Sequence, residues 1–534
     1  MASNNLAAKT GFLSRFIFRL DRFRILIWVV ALSFFTIIVP TAFQDLYKSQ
    51  AERDAMAQTM ANPAMTAMTG PANLSHYTTG VMTAHQMLLM TAAVVGLMSI
   101  LLVTRHTRAD EEEGRVEIVR SLAAGRLSYL NASLVVITLT CIGLAFINGF
   151  GLYVLGIESM DLEGSLLYGT ALGATGLFFA GVTAVFAQLS DSSRGTIGYS
   201  IAVLLIAYLF RAITDVTNES LSWISPLAWV TKAKVYDTNN WWPIVLMVIA
   251  AIVLYVLANY LHAIRDLDRG FLPSKPGKNH ASHFLQSPLG LAVRLQRTGI
   301  ISWAIGMYVL GASYGSVLGD LESFFADNDA MKQMLQPAEG VTLLEQFIPM
   351  LMIVISLLAT IPPVMAVNKL RGEEKKERLT HLLGRTVSRT KLLGSYFLLA
   401  IVNGLVMLSL AALGLWSVGT TMVEDGLSFE MVFGAALSYY PAMLVMISVS
   451  VFLIGHYPKR TSFIWVYVLY SFIVLYLGGL FQFSDWVGNL SPFGYVPQLP
   501  VEDFSAIPLV LLSMVFIMLT AVGFIGFRRR DIEQ

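Results

Sequence analysis

The sequence predicts an all-α integral membrane protein whose twelve transmembrane helices form two parallel six-helix repeats. Three observations carry that reading. Of the 534 residues, 55% are hydrophobic and only 13% charged, with a mean hydropathy of +0.64; a soluble domain holds about 25% charged residues. The apolar residues gather into runs long enough to cross about 30 Å of hydrocarbon. The densely charged stretch inside the first half has a counterpart in the second.

The chain opens on an amphipathic segment. Phe12, Leu13, Phe16, Ile17, Leu20 and Phe23 share one helical stripe, and Arg15, Arg19, Arg22 and Arg24 supply the polar side. That is the pattern of an elbow helix lying in the membrane interface. The run Ile25 to Phe43 follows as the first span, and no small-residue cleavage site trails it, so it stays in the bilayer. A polar loop from Gln44 to about Gly80 leads to a second span, about Val81 to Thr104. Further spans are predicted at about 128–156, 165–189, 196–214 and 241–262. The second half repeats the series at about 299–318, 342–368, 391–419, 429–455, 461–481 and 505–527. The halves cover residues 1–264 and 288–534, joined by a linker, 265–287, that holds Pro273, Pro276 and Gly277.

Arg108 to Arg126 follows the second span and holds nine charged residues in nineteen positions. Alone it reads as a solvated loop. Its partner, Arg371 to Arg389, follows the eighth span, and an offset of 263 sets Arg115 on Arg378, Val116 on Leu379, Val119 on Leu382 and Arg126 on Arg389. Both segments start acid-rich, become apolar at helical spacing and end in a small-residue turn before Arg. A duplicated amphipathic helix at one topological point predicts a docking surface. The two differ in charge: four Arg against one Asp and four Glu leave −1 in the first, and six basic residues against three Glu leave +3 in the second. A partner that meets both is expected to favour the first.

Basic residues set the orientation. With the N-terminus cytoplasmic, only Lys48, Arg53, Arg211, Lys232, Lys234 and Lys332 of the 36 Lys and Arg fall outside, which leaves 30 inside. Both charged stretches and both termini are then cytoplasmic. The duplication spans the whole chain. At an offset of 275, Arg19, Leu20, Arg22, Ile25 and Trp28 fall on Arg294, Leu295, Arg297, Ile300 and Trp303. At 266, Ser225-Pro226-Leu227-Ala228-Trp229 falls on Ser491-Pro492-Phe493-Gly494-Tyr495. Six spans per half keep the orientation equal, so the repeat axis lies along the membrane normal. Pro226 and Pro492 break the chain before each final span and predict short, partly re-entrant outer segments, held at the interface by Trp229 and Tyr495.

Chemical signals are sparse. Cys141 stands alone in an apolar run and reads as packing. His85, Arg211, Asp215 and Glu345 lie at outer span ends, where solvation is expected, and ionisable residues are otherwise nearly missing from the spans. Asn148 and Gln188 predict hydrogen bonds between helices. Met87, Met90 and Met98 of span two, with Met82, are candidates to line an adaptable hydrophobic path, against the plainer reading of core packing. No His, Cys or carboxylate cluster points to a metal or a catalytic site, and no nucleic-acid partner is expected.

The order of elbow, span, outer loop, span, cytoplasmic acid-rich helix and four more spans resembles the ABC-2 type transporter permease, here as two fused copies. The segment Glu111-Glu112-Glu113-Gly114-Arg115-Val116-Glu117, continuing through Arg120-Ser121-Leu122 to Gly125-Arg126, is similar to that of the polyketide-antibiotic exporter permeases of Gram-positive bacteria. Ala123-Ala124 stands where such permeases often carry Pro, and Lys375-Lys376-Glu377 stands where the first copy has Glu112-Glu113-Gly114. The resemblance implies a multi-pass protein of a bacterial plasma membrane. Its two charged segments would be coupling helices, with Glu111, Glu112, Arg115, Glu117, Arg120, Arg126, Glu374, Arg378 and Arg389 docking two copies of an ABC ATPase. ATP and Mg would be held by that partner, and the cargo would be a hydrophobic small molecule. The chain fits a separate ATPase: Gly277-Lys278 is followed by Asn279 and lacks the upstream glycine of a phosphate-binding loop. A rival is a proton-coupled secondary drug transporter of twelve spans. Its G-x-x-x-D-R-x-G-R signature is absent after span two, and buried carboxylates for a proton relay are not expected. A membrane-bound enzyme is disfavoured by the lack of a catalytic cluster.

Overall fold

Apolar runs with no water beside them must satisfy their backbone internally, and the described residues do so as helices. The computed structural model describes residues 6–61, 63–266, 269–272, 280–320, 342–375, 377–384, 387–423, 426–476 and 485–531. The chain divides into two units, Met1–Gly277 and Lys278–Gln534.

In the first unit, α1 runs from Thr10 to Leu46, α2 from Gln50 to Met60 and α3 from Pro63 to Thr69. The second span, α4, covers Thr79–Glu112. A short α5, Arg115–Arg120, precedes α6 (Ser128–Val154), α7 (Leu162–Leu189) and α8 (Ser193–Thr217). The break at Pro226 gives α9, Pro226–Thr231, and α10 (Trp242–Ile264) closes the unit. The most buried span, α7, packs against α4, α6 and α10. It approaches α6 closely because a Cβ on Gly169 would overlap the Ala145 carbonyl, the small-residue packing that substitutes for hydrophobic drive in lipid.

In the second unit, α11 is Pro288–Val317, α12 Leu343–Lys375, α13 Arg378–Leu383 and α14 Arg389–Met422. Then come α15 (Phe429–His456), α16 (Phe463–Tyr476) and α17 (Ala506–Arg529). Gly311 and Gly414 let α11 and α14 meet backbone to backbone, at Ala411 and Tyr308.

Eleven helices among the described residues are long and apolar enough to cross a membrane. The expected eleventh span, 461–481, is represented by the 14-residue α16, and its last residues lie outside those described. The elbow expectation is overturned. No break separates residues 10–24 from the first span, and α1 continues for 37 residues. The stripe it buries is Leu13, Ile17, Asp21 and Ile25, whereas Phe12, Phe16, Leu20 and Phe23 are among its exposed residues. Nothing in Leu20–Arg24 breaks a helix, and the aromatic residues of the stripe are suited to a lipid-facing side of a continuous helix. The second counterpart likewise starts at Pro288 and runs unbroken into its span.

The ionisable residues at the other end are corrected too. Arg211 is fully buried, with Nη1 2.8 Å from Asp215 Oδ2 and Nη2 donating to the carbonyls of Ala67 and Met68. Ser222 Oγ donates to Asp215 at 2.5 Å. His85 is buried between Tyr77, Thr69 and the Gly70 carbonyl. These groups escape the cost of burial by pairing rather than by solvation. Glu345 faces the start of α12, where it accepts from the N–H and hydroxyl of Thr342. Asn148 Nδ2 reaches Ser33 Oγ on α1 at 3.3 Å, Gln188 Oε1 lies 2.9 Å from His262 Nδ1 on α10, and Cys141 is a buried free thiol.

Candidate functional site

At one end of the first unit, α4 runs past the expected end of its span. It passes through a π segment, Arg105–Ala109, in which His106 leaves helical geometry at φ −95° and ψ 19°, and it stops at Glu112. Gly114 turns the chain at φ 71°, and α5 begins at Arg115. Asp110 holds that first residue, Oδ1 lying 2.7 Å from Arg115 Nη1, and its Oδ2 accepts from Tyr129 of α6 at 2.6 Å. Glu111 Oε2 points inward to Arg265 Nη2 at 2.8 Å and Arg108 Nη1 at 3.1 Å. Arg126, which opens the approach to α6, donates to the Arg265 carbonyl at 2.7 Å. Glu112 accepts from Ser193 N and Oγ at the start of α8, where a negative charge meets the helix dipole favourably.

The second unit builds the same clamp from the corresponding positions. Glu374 takes Arg530 in a bidentate pair at 2.7 and 2.8 Å and Arg371 at 3.1 Å. Glu373 holds Arg378, the first residue of α13, at 3.1 Å. Arg389 donates to the carbonyls of Arg528 and Arg530. Residue 377 turns the chain at φ 57° where residue 114 does so in the first unit. The sequence reading did not pair Arg265 and Arg530 with these acids. The signal was there: each is an Arg just past the last span of its half, 265 positions apart.

Of the predicted docking residues, Glu111 and Glu374 are therefore buried clamps, and Arg126 and Arg389 tie the charged turn to the last helix of the unit. Glu117 is exposed, with Ile118 at 67% and Leu122 at 65% exposure beside it, while Val116 is buried. On α13 the exposed residues are Arg378, Thr380 and His381, so His381 stands where Ile118 stands in α5. Arg120 Nη2 approaches His262 at 3.4 Å. A narrow cleft lined by Val116, Val119, Arg120, Arg126, His262 and Arg265 lies beneath α5.

The other candidates separate. Met98 and Met82 are fully buried in packed clusters, whereas Met87 and Met90 are half-buried. Pro226 opens α9 and Pro492 opens a 3-10 turn, Pro492–Tyr495. The preceding serines pin both breaks: Ser225 Oγ donates to Ala207 O at 2.7 Å, and Ser491 Oγ to Ser471 Oγ at 2.9 Å. Trp229 is half-buried on Phe178 and donates to Trp223 O, while Tyr495 is exposed.

One prediction arises at the turn. A residue with a Cβ pays about 1–2 kcal/mol in the left-handed region, which Gly does not. Nothing lies within 4 Å of a Cβ built on Gly114, so only backbone strain is at stake there. Glu377→Gly should raise stability by about 1 kcal/mol and Gly114→Ala lower it similarly, read as opposite shifts in thermal unfolding.

A family model described as "Multidrug efflux system permease Rv1217c, C-terminal domain" matches residues 14–261 and 285–528. The chain belongs to that family. Multidrug efflux system permease protein Rv1217c of Mycobacterium tuberculosis (strain ATCC 25618 / H37Rv) is 35% identical over 530 residues, covering 98% of this chain and 95% of that protein. The two segments matched by the efflux-permease family begin in α1 and just before α11; each contains the clamp carboxylate, Glu111 or Glu374, and ends a few residues before the Arg that pairs with it, Arg265 or Arg530.

Proposed function

We propose that this chain is the permease of an ATP-driven exporter of the ABC-2 type that moves hydrophobic or amphipathic compounds, of the multidrug and antibiotic kind, out of a bacterial cell. The observation that carries it is the duplicated clamp. Each unit uses a buried carboxylate and an Arg just past its last helix to hold rigid a short helix whose outer side is exposed. A rigid lever with a free face transmits force from a partner. The printed name of the related protein supports efflux as the task. In this reading the eleven long helices and α16 make twelve spans in two parallel repeats, with both termini and both clamps cytoplasmic. Two ABC ATPase copies seat on α5 and α13, and ATP and Mg belong to them.

One observation favours the proton-coupled alternative: Asp21, His106 and Asp110 are buried together. Yet α4 carries no ionisable side chain from Gln86 to Thr104, the length between His106 and His85. A titratable path along that helix is missing, and the ATP-driven reading is the stronger.

Ile118→Glu with Leu122→Glu should cut drug-stimulated ATP hydrolysis by the reconstituted complex at least about tenfold, because charge at a partly apolar contact costs about 1.4 kcal/mol or more. Both side chains are exposed, so unfolding temperature should not move. Native mass spectrometry of the complex should show one permease with two ATPase subunits. Transport that persists without ATP and collapses with the proton gradient would reject the proposal.

A further inference from the structure

We propose that Asp21, His106 and Asp110 form a proton-binding site that sets the seat of α5, in the first unit alone. His106 Nε2 lies 2.6 Å from Asp21 Oδ2 and Nδ1 lies 3.0 Å from Asp110 Oδ2, with all three side chains at most 3% exposed. A neutral imidazole has one N–H and cannot donate to both carboxylates. Both contacts are hydrogen bonds only when the cluster carries one further proton, as an imidazolium or as a carboxylic acid. Without it, a ring lone pair faces a carboxylate oxygen in a dry site, which is repulsive.

The groups around the cluster are accounted for. Asp21 of α1 also faces Arg24 at 2.8 Å and Arg105 at 3.2 Å. Asp110 also faces Arg115 at 2.7 Å and the Tyr129 hydroxyl at 2.6 Å, and Arg115 is closed off by Glu113. With neutral His106, three Arg balance Asp21, Asp110 and Glu113, so the bound proton adds one net positive charge. His106 is also the non-helical residue of the π segment, a local distortion that recurs at functional positions.

The second unit has replaced every part. Gln296 stands for Asp21, Lys369 for His106 and Glu373 for Asp110. Lys369 pairs with Glu373 at 3.2 Å, and α12 continues as α-helix through the position. A lysine ammonium donates to its carboxylate without the further proton that an imidazole between two carboxylates needs.

Asp110 is the shared member, because it binds the proton cluster and the first residue of α5. Loss of the proton leaves one of the two ring contacts without its hydrogen, so the joint between α1 and the end of α4, where Asp110 holds Arg115, is disturbed and α5 with it. The proton is bound in the seated state, so seating is favoured at low pH and lost as pH rises. This does not depend on what docks on α5, and the test uses the permease alone.

Hydrogen exchange of the full chain in lipid nanodiscs, corrected for the chemical exchange rate, is compared at about pH 6 and about pH 8.5. Protection of residues 105–122 should fall about tenfold or more at the higher pH, the worth of one hydrogen bond to a charged group. Protection of residues 368–384 should stay level. His106→Gln and, more mildly, Asp21→Asn should make residues 105–122 indifferent to pH. A level wild-type profile, or a pH response that either variant retains in full, would overturn the site.

Discussion

Arg530→Ala should lower the unfolding temperature of the solubilised protein more than any change on the exposed side of α13. Arg530 brings two nitrogens onto Glu374 at 2.7 and 2.8 Å, and the side chains are 12% and 0% exposed. Removing one partner of a buried pair costs about 3–5 kcal/mol, because the remaining charge stays in a low dielectric. Arg371, 3.1 Å from Glu374, stays in place and sets the expectation near the lower end, about 3 kcal/mol. Adding Glu374→Gln to Arg530→Ala should not recover the loss, since buried Arg371 then loses the Glu374 carboxylate. Thermal melts in one detergent compare both variants with Thr380→Ala, an exposed control. A loss for Arg530→Ala no greater than that of Thr380→Ala would mean that the clamp is not structural.

The second large effect lies at the opposite end of the first unit. Asp215→Ala strands the guanidinium of Arg211, which is fully buried and has the Asp215 carboxylate as its counter-charge. The expected loss is again about 3–5 kcal/mol. Arg211 also holds the Ala67 and Met68 carbonyls, so the segment around α3 should loosen with it. Cleavage by protease near residues 66–70 should rise in Asp215→Ala and much less in Asp215→Asn, which keeps a hydrogen-bond acceptor for Arg211 and Ser222. Unchanged cleavage in Asp215→Ala would show that Arg211 finds another partner.

The amino-acid sequence by itself determined the membrane character, the positions of the long helices and the correspondence between Arg108–Arg126 and Arg371–Arg389. Each of these is local or periodic: hydropathy follows composition, and a repeat keeps its offset whatever the fold does. It also placed Pro226 and Pro492 at chain breaks, because proline lacks the N–H a helix interior needs. Only the tertiary structure decided which charges face a partner and which face inward. Glu111 and Glu117 look alike in sequence, six positions apart in one acidic stretch, yet Arg265 draws the first inside from 154 residues away and leaves the second exposed. Asp21, in the segment that reads as an elbow, shares the buried stripe of Leu13, Ile17 and Ile25 and meets His106 because α1 runs on without a bend. An ion pair in a bilayer protein depends on two distant backbones arriving at one depth, and one-dimensional spacing carries no record of that meeting.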